Sequence, residues 1–169
     1  MKRNNILIKV LSLAFFSRKN GLKIVVAESC TSGLLASFLS SLAGSSAWFD
    51  FGIVCYSNLS KKTLLSVDLN SVKFHGSVSK IVASQMLAGL EKSLPEEKNK
   101  FYLFSSITGI AGPTGGSKKK PIGLVWFGFQ AYGEKSFKKF IFSGSRIQIR
   151  TLAVRTALEG LISASARKK

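Results

Sequence analysis

The sequence predicts a three-layer α/β/α sandwich built on a mixed, mostly parallel sheet of about five strands. Short apolar runs rich in β-branched residues alternate with longer runs of helical periodicity, which favours parallel strands joined by helices. A hairpin pattern near the end of the chain adds antiparallel strands to the same sheet. The length of 169 residues and the hydrophobic content of 46% fit a single domain over residues 1–169.

Residues 1–20 are predicted to form an amphipathic N-terminal helix that belongs to this domain. The segment starts basic and continues apolar, as a signal peptide does, but Lys9 interrupts the apolar stretch and no small-residue cleavage pattern follows. The uninterrupted apolar window is too short to cross a bilayer. Asn20 and Gly21 are typical helix-stop residues, so we expect the helix to end there.

The first half of the chain then alternates strand and helix patterns. Strands are predicted over residues 22–29 and 48–56, and helices over residues 31–44, 59–67 and 79–94. Gly44 is placed to end the first of these helices, while Ser57-Asn58 and Ser79 are placed to cap the other two. The segment between the last two helices, which runs through Gly76, is predicted to be a loop.

The second half of the chain predicts the antiparallel part of the sheet. A third strand over residues 101–108 is followed by a Gly- and Pro-rich loop over residues 109–123. Residues 124–132 and 135–142 fit a hairpin that turns at Gly133-Glu134. Apolar residues at helical spacing over residues 145–164 predict a closing helix.

The net charge of +17 predicts a basic surface that attracts anions. Most lysines are spread in ones and twos, with clusters at Lys118–Lys120, Lys138–Lys139 and the C-terminus, and no motif of a nucleic-acid-binding module accompanies them. We therefore expect an anionic small molecule, rather than nucleic acid or a membrane, as the partner. DNA binding that weakens steeply with salt would contradict this expectation.

The small number of histidine and cysteine residues restricts the chemistry available to the protein. One histidine and two cysteines supply too few ligands for a structural zinc site, and we expect no metal or cofactor. Cys30 and Cys55 lie 25 positions apart without a CxxC pattern, which is typical of a reduced, cytoplasmic chain. His75 stands in a predicted loop without a motif around it, and gives no support to a Ser-His-acid triad. The sequence also lacks the glycine fingerprints of P-loop and dinucleotide-binding proteins.

Polar side chains follow the first predicted strand in the stretch AESCTSG, residues 27–33. Open α/β sheets bind ligands at the carboxyl ends of their strands, which makes Ser29, Cys30 and Thr31 candidate site residues. The hydroxyl of Ser29 or Thr31 is also suited to capping the helix that follows. The pattern alone leaves both interpretations open.

The next two strands bring further polar groups to the same edge of the sheet. Tyr56, Asn58 and Lys61 follow the second strand, and Thr108 ends the third. The loop after Thr108 carries glycines that let backbone amides approach a ligand, namely Gly109, Gly112, Gly115 and Gly116. This convergence predicts a binding site without identifying its substrate.

The chain resembles the CinA C-terminal domain family, because AESCTSG, YSNLSK, GSVS, TGIAGPTGG with KPIG, and GSRIQIR occur in the order and approximate spacing of that family. The resemblance extends from about Lys23 to the final helix. It implies a three-layer domain, often dimeric, with the activity of a nicotinamide-nucleotide amidohydrolase. Such an enzyme converts nicotinamide mononucleotide (NMN) to nicotinate mononucleotide and ammonia, and the resemblance implies no metal requirement.

The resemblance also implies roles for individual residues. Ser29 matches the family's catalytic serine, Lys61 its catalytic lysine and Arg146 its catalytic arginine. The implied substrate-site residues are Cys30, Thr31, Tyr56, Asn58, Thr108, Gly109, Gly112, Gly115 and Gly116. Lys61 would deprotonate Ser29 if burial or nearby positive charge lowers the lysine pKa, whereas Arg146 would assist Lys61 or bind the substrate phosphate. Cys30 is a rival nucleophile, because a thiol at a helix N-terminus can have a depressed pKa.

Two positions depart from the usual family pattern. A second glycine is usual where this chain has Ser32, and an acidic residue is common where Ser145 precedes Arg146. We expect Ser32 to crowd the backbone near a ligand, and the loss of the acid to loosen Arg146. Both changes would affect efficiency more than the type of reaction.

A different class of function is a non-catalytic binding module related to competence or DNA damage, whose basic surface contacts a protein or nucleic acid. The presence of Ser29, Lys61, Thr108 and Arg146 together favours the enzyme, since a scaffold has no need for this set. Many relatives carry this domain behind a pyrophosphatase-like domain. The 169 residues leave no room for that domain, and its activity is expected to be absent.

Overall fold

A computed structural model describes residues 3–167 of the chain. Its helices in this range are α1 (Arg3–Lys19), α2 (Leu34–Leu39), α3 (Asn58–Leu65), α4 (Leu69–His75), α5 (Lys80–Lys92) and α6 (Arg146–Ser165). Its strands are β1 (Lys23–Glu28), β2 (Phe49–Val54), β3 (Tyr102–Gly109), β4 (Leu124–Ala131) and β5 (Glu134–Ile141). Short 3-10 turns precede β2 and β3 at Ser45–Ala47 and Glu96–Phe101.

The five strands form one mixed sheet in the order β2-β1-β3-β4-β5. Strand β1 pairs in parallel with both β2 and β3, whereas β3, β4 and β5 pair antiparallel in sequence. The parallel strands are joined by helices and the antiparallel ones by a loop and a hairpin, as their connections require. The carboxyl ends of β1, β2 and β3 therefore meet at one edge of the sheet.

Helices cover both faces of this sheet and produce the predicted three-layer sandwich. Along β1 the side chains alternate between the two layers, so that Ile24 and Val26 pack with α1, α2 and α6, while Val25 and Ala27 pack with α3, α4 and α5. Burial on both faces explains why β1 reads as a continuous apolar run rather than an alternating one. The predicted fold class is confirmed.

Helix α2 is shorter than the predicted helix over residues 31–44. The carboxylate of Glu28, the last residue of β1, is fully buried and accepts hydrogen bonds from the amides of Leu35 at 3.1 Å and Ala36 at 2.8 Å. An acidic side chain is favourable at this position because the first amides of a helix lack intrahelical acceptors and carry partial positive charge. A strand residue, rather than a neighbouring hydroxyl, therefore supplies the cap.

The segment between Ser29 and α2 is a turn. Ser32 and Gly33 have left-handed backbone conformations, with φ of 51° and 84°, which interrupt any helix. Neither Ser29 nor Thr31 caps α2, since no side chain caps it at Gly33 and Glu28 accepts from its first turn. The interpretation of these hydroxyls as a simple helix cap is wrong. Gly44 does not end α2 either, but precedes the 3-10 turn before β2.

The predicted loop through Gly76 contains a helix, α4. Asp68 caps it by accepting hydrogen bonds from the amides of Asn70 and Ser71. The helix has seven residues, and Val72 is its buried one, so its sequence carries little amphipathic pattern. The caps predicted for the neighbouring helices are found: Ser57 accepts from Ser60 at α3, and Ser79 accepts from Val82 at α5.

Residues 1–2 of the predicted N-terminal helix lie outside the described residues; the ends of the remaining elements lie within two residues of their predicted positions. Helix α1 ends at Lys19, directly before Asn20-Gly21. The hairpin turns at Tyr132-Gly133, one residue earlier than predicted, and both residues have positive φ as a tight hairpin turn requires. Within residues 3–167, no helix combines the length and apolar character needed to cross a bilayer.

Candidate active site

Ser29 and Lys61 meet at the carboxyl edge of the sheet. Ser29 follows β1 directly, and its amide donates to the carbonyl of Ile107 in β3 at 3.0 Å. Lys61 lies in α3, and its Nζ donates to Ser29 Oγ at 3.0 Å and to the carbonyl of Tyr56 at 3.0 Å. The serine and lysine are 32 positions apart in the chain, so the fold creates the pair.

Helix α3 is positioned to bring Lys61 back over the end of β1. The amide of Cys55 donates to the carbonyl of Glu28 at 2.8 Å, which continues the pairing of β1 and β2 to their carboxyl ends. The Ser57 cap then starts α3 immediately beyond β2. Lys61 and Leu65 are the buried residues of α3, four positions apart on one helical face, and that face points towards the sheet.

The environment of Lys61 favours its neutral form. Its side chain is only 1% exposed, and burial lowers the pKa of its ammonium from the usual 10.5, while the neighbouring Cys55 and Cys30 act in the opposite direction. Lys61 forms no ion pair with any carboxylate that the structure describes. A buried amine without a counter-ion, hydrogen-bonded to a hydroxyl, has the arrangement required of a general base for serine.

The environment of Cys30 opposes its role as the nucleophile. Its side chain is 4% exposed and packs into the apolar core between the sheet and α6. Burial raises the pKa of the Cys30 thiol to about 12, so the thiolate is scarce near neutral pH. Cys55 is also a free, buried thiol, and burial raises its pKa to about 11.

The end of β3 forms the next wall of the site. Thr108 is buried and its Oγ1 donates to the carbonyl of Ser77, at 2.8 Å, in the segment before α5. Gly109 follows, where a Cβ atom would lie 2.7 Å from Val125 and 3.0 Å from Cys30 Sγ. The close approach of these strands therefore requires glycine at position 109.

Arg146 joins two parts of the chain at the rim of the site. It is the first residue of α6, and its Nη1 donates to the carbonyl of Gly112 at 2.7 Å. Its Nη2 donates to the hydroxyl of Tyr56 at 2.9 Å, although the two residues are 90 positions apart. Both partners are neutral, so the positive charge of Arg146 is not compensated by a carboxylate within the described residues.

A cavity of about 160 Å³ connects these groups. It is lined by Ser29, Cys30, Tyr56, Lys61, Ser77, Val78, Thr108, Gly109, Ala111 and Arg146. Seven of the ten belong to the predicted site. Ser77, Val78 and Ala111 received no predicted role, although the first two lie in the GSVS motif and the third in TGIAGPTGG. Those motifs were the signal that could have identified them.

The other predicted substrate-site residues lie outside this cavity. Thr31 is fully buried beside it, and its carbonyl accepts from Arg150 Nη2 at 2.8 Å. Asn58 is exposed at the start of α3. Gly112 contributes its carbonyl to Arg146, while Gly115 and Gly116 line a separate surface depression formed by the glycine loop. The structure thus brings together the predicted catalytic groups but disperses part of the predicted substrate site.

The two residues that depart from the family pattern have structural explanations. Ser32 occupies a left-handed conformation, which glycine adopts at lower cost. Ser145 caps α6 by accepting from the amide of Gln148, and the Gln148 side chain in turn accepts from the Ser145 amide at 2.7 Å. This reciprocal cap fixes the start of α6, so Arg146 remains anchored without the usual acid.

The fold and the site together define an α/β protein with a hydrogen-bonded serine–lysine pair at the carboxyl edge of its sheet. Residues 9–165 match the model of the CinA C-terminal domain, and the chain belongs to that family. The motifs that carried the resemblance are the segments that form the cavity. Membership in the family is therefore consistent with the geometry of the site.

Named relatives and solved structures agree with this placement. Nicotinamide-nucleotide amidohydrolase PncC of Escherichia coli K12 is 41% identical over 145 residues, which cover 85% of each chain. A CinA-like protein of Syntrophomonas wolfei is 41% identical over 156 residues, 92% of this chain but 36% of its own. The chain thus spans about a third of the longer curated relatives it matches. The competence/damage inducible protein CihA of Agrobacterium tumefaciens superposes with a TM-score of 0.89 at 36% identity, over 95% of both chains.

Proposed function

We propose that this protein is a nicotinamide-nucleotide amidohydrolase that converts NMN to nicotinate mononucleotide and ammonia. The observation that carries the proposal is the 3.0 Å hydrogen bond between buried Lys61 Nζ and Ser29 Oγ. The relative from E. coli named for this activity, at 41% identity over most of both chains, supports the choice of substrate. The proposed chemistry uses protein side chains and water alone.

In the proposed reaction, neutral Lys61 accepts the hydroxyl proton of Ser29 as Oγ bonds to the carboxamide carbon of NMN. Lys61 then returns this proton to the amide nitrogen, the carbon–nitrogen bond breaks, and ammonia leaves. Water attacks the remaining ester while Lys61 again accepts a proton. The bond between Ser29 Oγ and the acyl carbon then breaks, Oγ takes the proton back from Lys61, and nicotinate mononucleotide leaves, which restores the starting state.

The oxyanion of the tetrahedral intermediate requires hydrogen-bond donors near Ser29. The amides of Leu35 and Ala36 at the start of α2 already donate to Glu28, which removes them as candidates. We place the donors in the turn directly after Ser29, beginning with the amide of Cys30, as in enzymes whose nucleophile ends a strand. Each such donor contributes about 3 kcal/mol to catalysis in comparable sites.

For Arg146 we propose binding of the substrate phosphate rather than direct action on Lys61. The hydrogen bonds of Lys61 go to Ser29 and Tyr56, while those of Arg146 go to Gly112 and the Tyr56 hydroxyl. A guanidinium with neutral partners retains the charge and fork geometry that suit a phosphate. Arg146→Lys should therefore raise KM for NMN more than it lowers kcat.

The decisive test is ammonia release from NMN by the purified protein, with free nicotinamide as a control substrate that lacks the ribose phosphate. We expect turnover of NMN and much weaker turnover of nicotinamide. A folded protein that releases no ammonia from NMN at high enzyme concentration would contradict the proposal and favour the non-catalytic module. Circular dichroism of the same sample establishes that it is folded.

We further propose that residues 1–169 act as one domain, in the cytoplasm and as a homodimer. Two free, buried thiols suit a reducing compartment. Helix α1 exposes Ile8, Leu11 and Phe15, each more than half accessible, and this apolar face suits a second copy of the chain. Light scattering should give twice the monomer mass, and Phe15→Glu should reduce it to the monomer value. A wild-type monomer at micromolar concentration would contradict the dimer.

A further inference from the structure

A second concave site lies beside the proposed active site. It is a cleft of about 350 Å³ between the start of α5, the end of the glycine loop and strands β4 and β5. Its chemistry comes from His75, Lys80, Lys119, Lys120, Trp126 and Lys139, and we call it the lysine cleft. Val78 lines both the lysine cleft and the cavity of Ser29, so the two sites share a wall.

The lysine cleft carries uncompensated positive charge. Four of its lining residues are lysines, and no aspartate or glutamate lines it. Among the side chains that the structure describes, none of these lysines takes part in an ion pair; the pairs involve Lys9, Lys135 and Arg155. Like charges around a concave surface repel one another and focus a positive potential into it. An anion in the cleft would relieve this repulsion.

Neutral partners hold the ammonium groups of Lys120 and Lys139 in place. Lys120 Nζ donates to the carbonyl of Val78 at 2.7 Å and to the carbonyl of His75. An ammonium has three donors, so one remains for a ligand. Lys139 Nζ lies 5.8 Å from the centroid of the Trp126 ring, which orders this cation without neutralising it. The cations of Lys120 and Lys139 are thus arranged before any ligand binds.

We infer that the lysine cleft binds the phosphate group of a small molecule. The lysines supply the charge and the donors for a phosphate, and the apolar walls from Pro121, Leu124 and Ile141 accommodate the rest of a nucleotide-sized ligand. Two sources supply this chemistry: a second phosphorylated molecule, or the phosphate end of a substrate that also reaches Ser29. The inference does not depend on the deamidase assignment, because binding can be measured without turnover.

The test compares two pairs of lysines that are adjacent in sequence and equal in charge. Lys119 and Lys139 line the lysine cleft, whereas their neighbours Lys118 and Lys138 do not. Calorimetry measures the binding of inorganic pyrophosphate and AMP to the full chain and to the variants K119A/K139A and K118A/K138A. We expect the cleft variant to bind about tenfold more weakly and the control variant to bind within about twofold of wild type.

Equal weakening in both variants would show that the anion senses only diffuse surface charge, and would overturn the inference. Wild-type protein that binds neither probe at millimolar concentration would also overturn it. So would a single-stranded oligonucleotide that binds more tightly than AMP and loses affinity equally in both variants. Thermal melting of each variant establishes that it is folded.

A second arm distinguishes the two sources of phosphate. The Ser29→Ala variant, saturated with NMN, is titrated with pyrophosphate. Binding that persists identifies a second phosphorylated molecule as the occupant, whereas competition identifies the phosphate end of the substrate and would overturn the assignment of that phosphate to Arg146. Either result supports a phosphate site in the lysine cleft. If the protein fails to hydrolyse NMN but still binds pyrophosphate through Lys119 and Lys139, the deamidase proposal alone is wrong.

Discussion

Lysine side chains have contrasting environments in the cavity of Ser29 and in the adjacent lysine cleft. In the cavity, Lys61 stands alone, is almost fully buried and donates to a serine hydroxyl. In the cleft, Lys120 is one of four lysines, remains partly exposed and donates to two backbone carbonyls. Burial lowers the pKa of Lys61 and of Lys120, but only Lys61 has a hydroxyl within reach of its amine.

Under the two proposals, one residue type serves two kinds of chemistry. Removing a lone amine from water favours its neutral, proton-accepting form, which suits a base. Solvent access keeps the amines of an exposed cluster charged, and their combined charge creates a site for anions. Sequence alone does not separate these cases, because Lys61 stands in a short basic run, as Lys119, Lys120 and Lys139 do.

The largest predicted effect on activity is at Ser29. Ser29→Ala removes the proposed nucleophile, and we expect kcat for NMN to fall by about 1,000-fold or more. Cys30→Ala should retain activity within about tenfold, because a buried thiol with a pKa of about 12 supplies little thiolate. Steady-state ammonia release measures both variants. The opposite result, with Ser29→Ala active and Cys30→Ala inactive, would assign the nucleophile to Cys30.

Replacing Lys61 should have nearly as large an effect on rate, without destabilising the fold. Lys61→Met removes the base and lowers kcat by about 1,000-fold, while an apolar side chain of similar length suits the buried position at least as well as an amine. The adjacent, exposed Lys62 is the matched control, and Lys62→Met should leave kcat unchanged. Activity retained by Lys61→Met would mean that another group accepts the serine proton.

The state of Lys61 should also be visible in pH profiles. Since burial lowers its pKa below 10.5, kcat for NMN should rise with pH through that lowered value as the neutral amine forms. Between the lowered value and 10.5, the unfolded chain binds more protons at this residue than the folded chain. The free energy of unfolding should therefore rise with pH over that window. Comparing wild type with Lys61→Met isolates this contribution, and identical stability profiles would contradict a lowered pKa.

Glu28 should affect both stability and activity to a smaller degree. Glu28→Gln loses one of the two acceptors for the amides of Leu35 and Ala36, and we expect the free energy of unfolding to fall by about 1–2 kcal/mol. Displacement of the turn should reduce kcat by about tenfold. Asp68→Asn, at the exposed cap of α4, is the comparison and should change stability by less than about 1 kcal/mol without affecting kcat. If both substitutions had equal effects, Glu28 would act only as an ordinary helix cap.

The smallest predicted effect is at Ser32. Ser32→Gly places glycine in a left-handed conformation with φ of 51°, and should stabilise the fold by about 0.5 kcal/mol after the entropy cost of glycine is included. Ser37, an exposed residue within helix α2, provides the control, because Ser37→Gly should destabilise by about 0.5 kcal/mol. Chemical denaturation measures both. If Ser32→Gly destabilised the fold, the Ser32 side chain would stabilise it by more than the free-energy cost of the left-handed backbone conformation.

Sequence patterns predict the layers and the sheet because burial imposes a period on long elements. They miss α4, whose seven residues offer too few turns for a visible period. They misplace the start of α2, because its cap comes from Glu28, seven to eight residues upstream in a strand, rather than from an adjacent hydroxyl. Such a cap depends on how the strand meets the helix, which local sequence does not encode.

The sequence likewise predicts part of the site and misses the rest. Sequence order places Ser29, Lys61 and Thr108 at one sheet edge, since parallel strands share their carboxyl ends. The contact of Arg146 with Tyr56 joins residues 90 positions apart, and only the resemblance to the family suggested that both belong to the site. Burial of Lys61 and the lack of a carboxylate beside the cleft lysines emerge only from the packed structure.

The central claim is that Ser29, activated by Lys61, attacks the amide of NMN. Rapid acid quenching of the wild-type reaction, followed by mass spectrometry of the digested protein, detects the covalent intermediate directly. We predict an ester of the nicotinate mononucleotide moiety on the peptide that contains Ser29, formed before steady state and absent from Ser29→Ala and Lys61→Met. The same adduct on Cys30, or its formation on Ser29 at an unchanged rate in Lys61→Met, would contradict the serine–lysine mechanism.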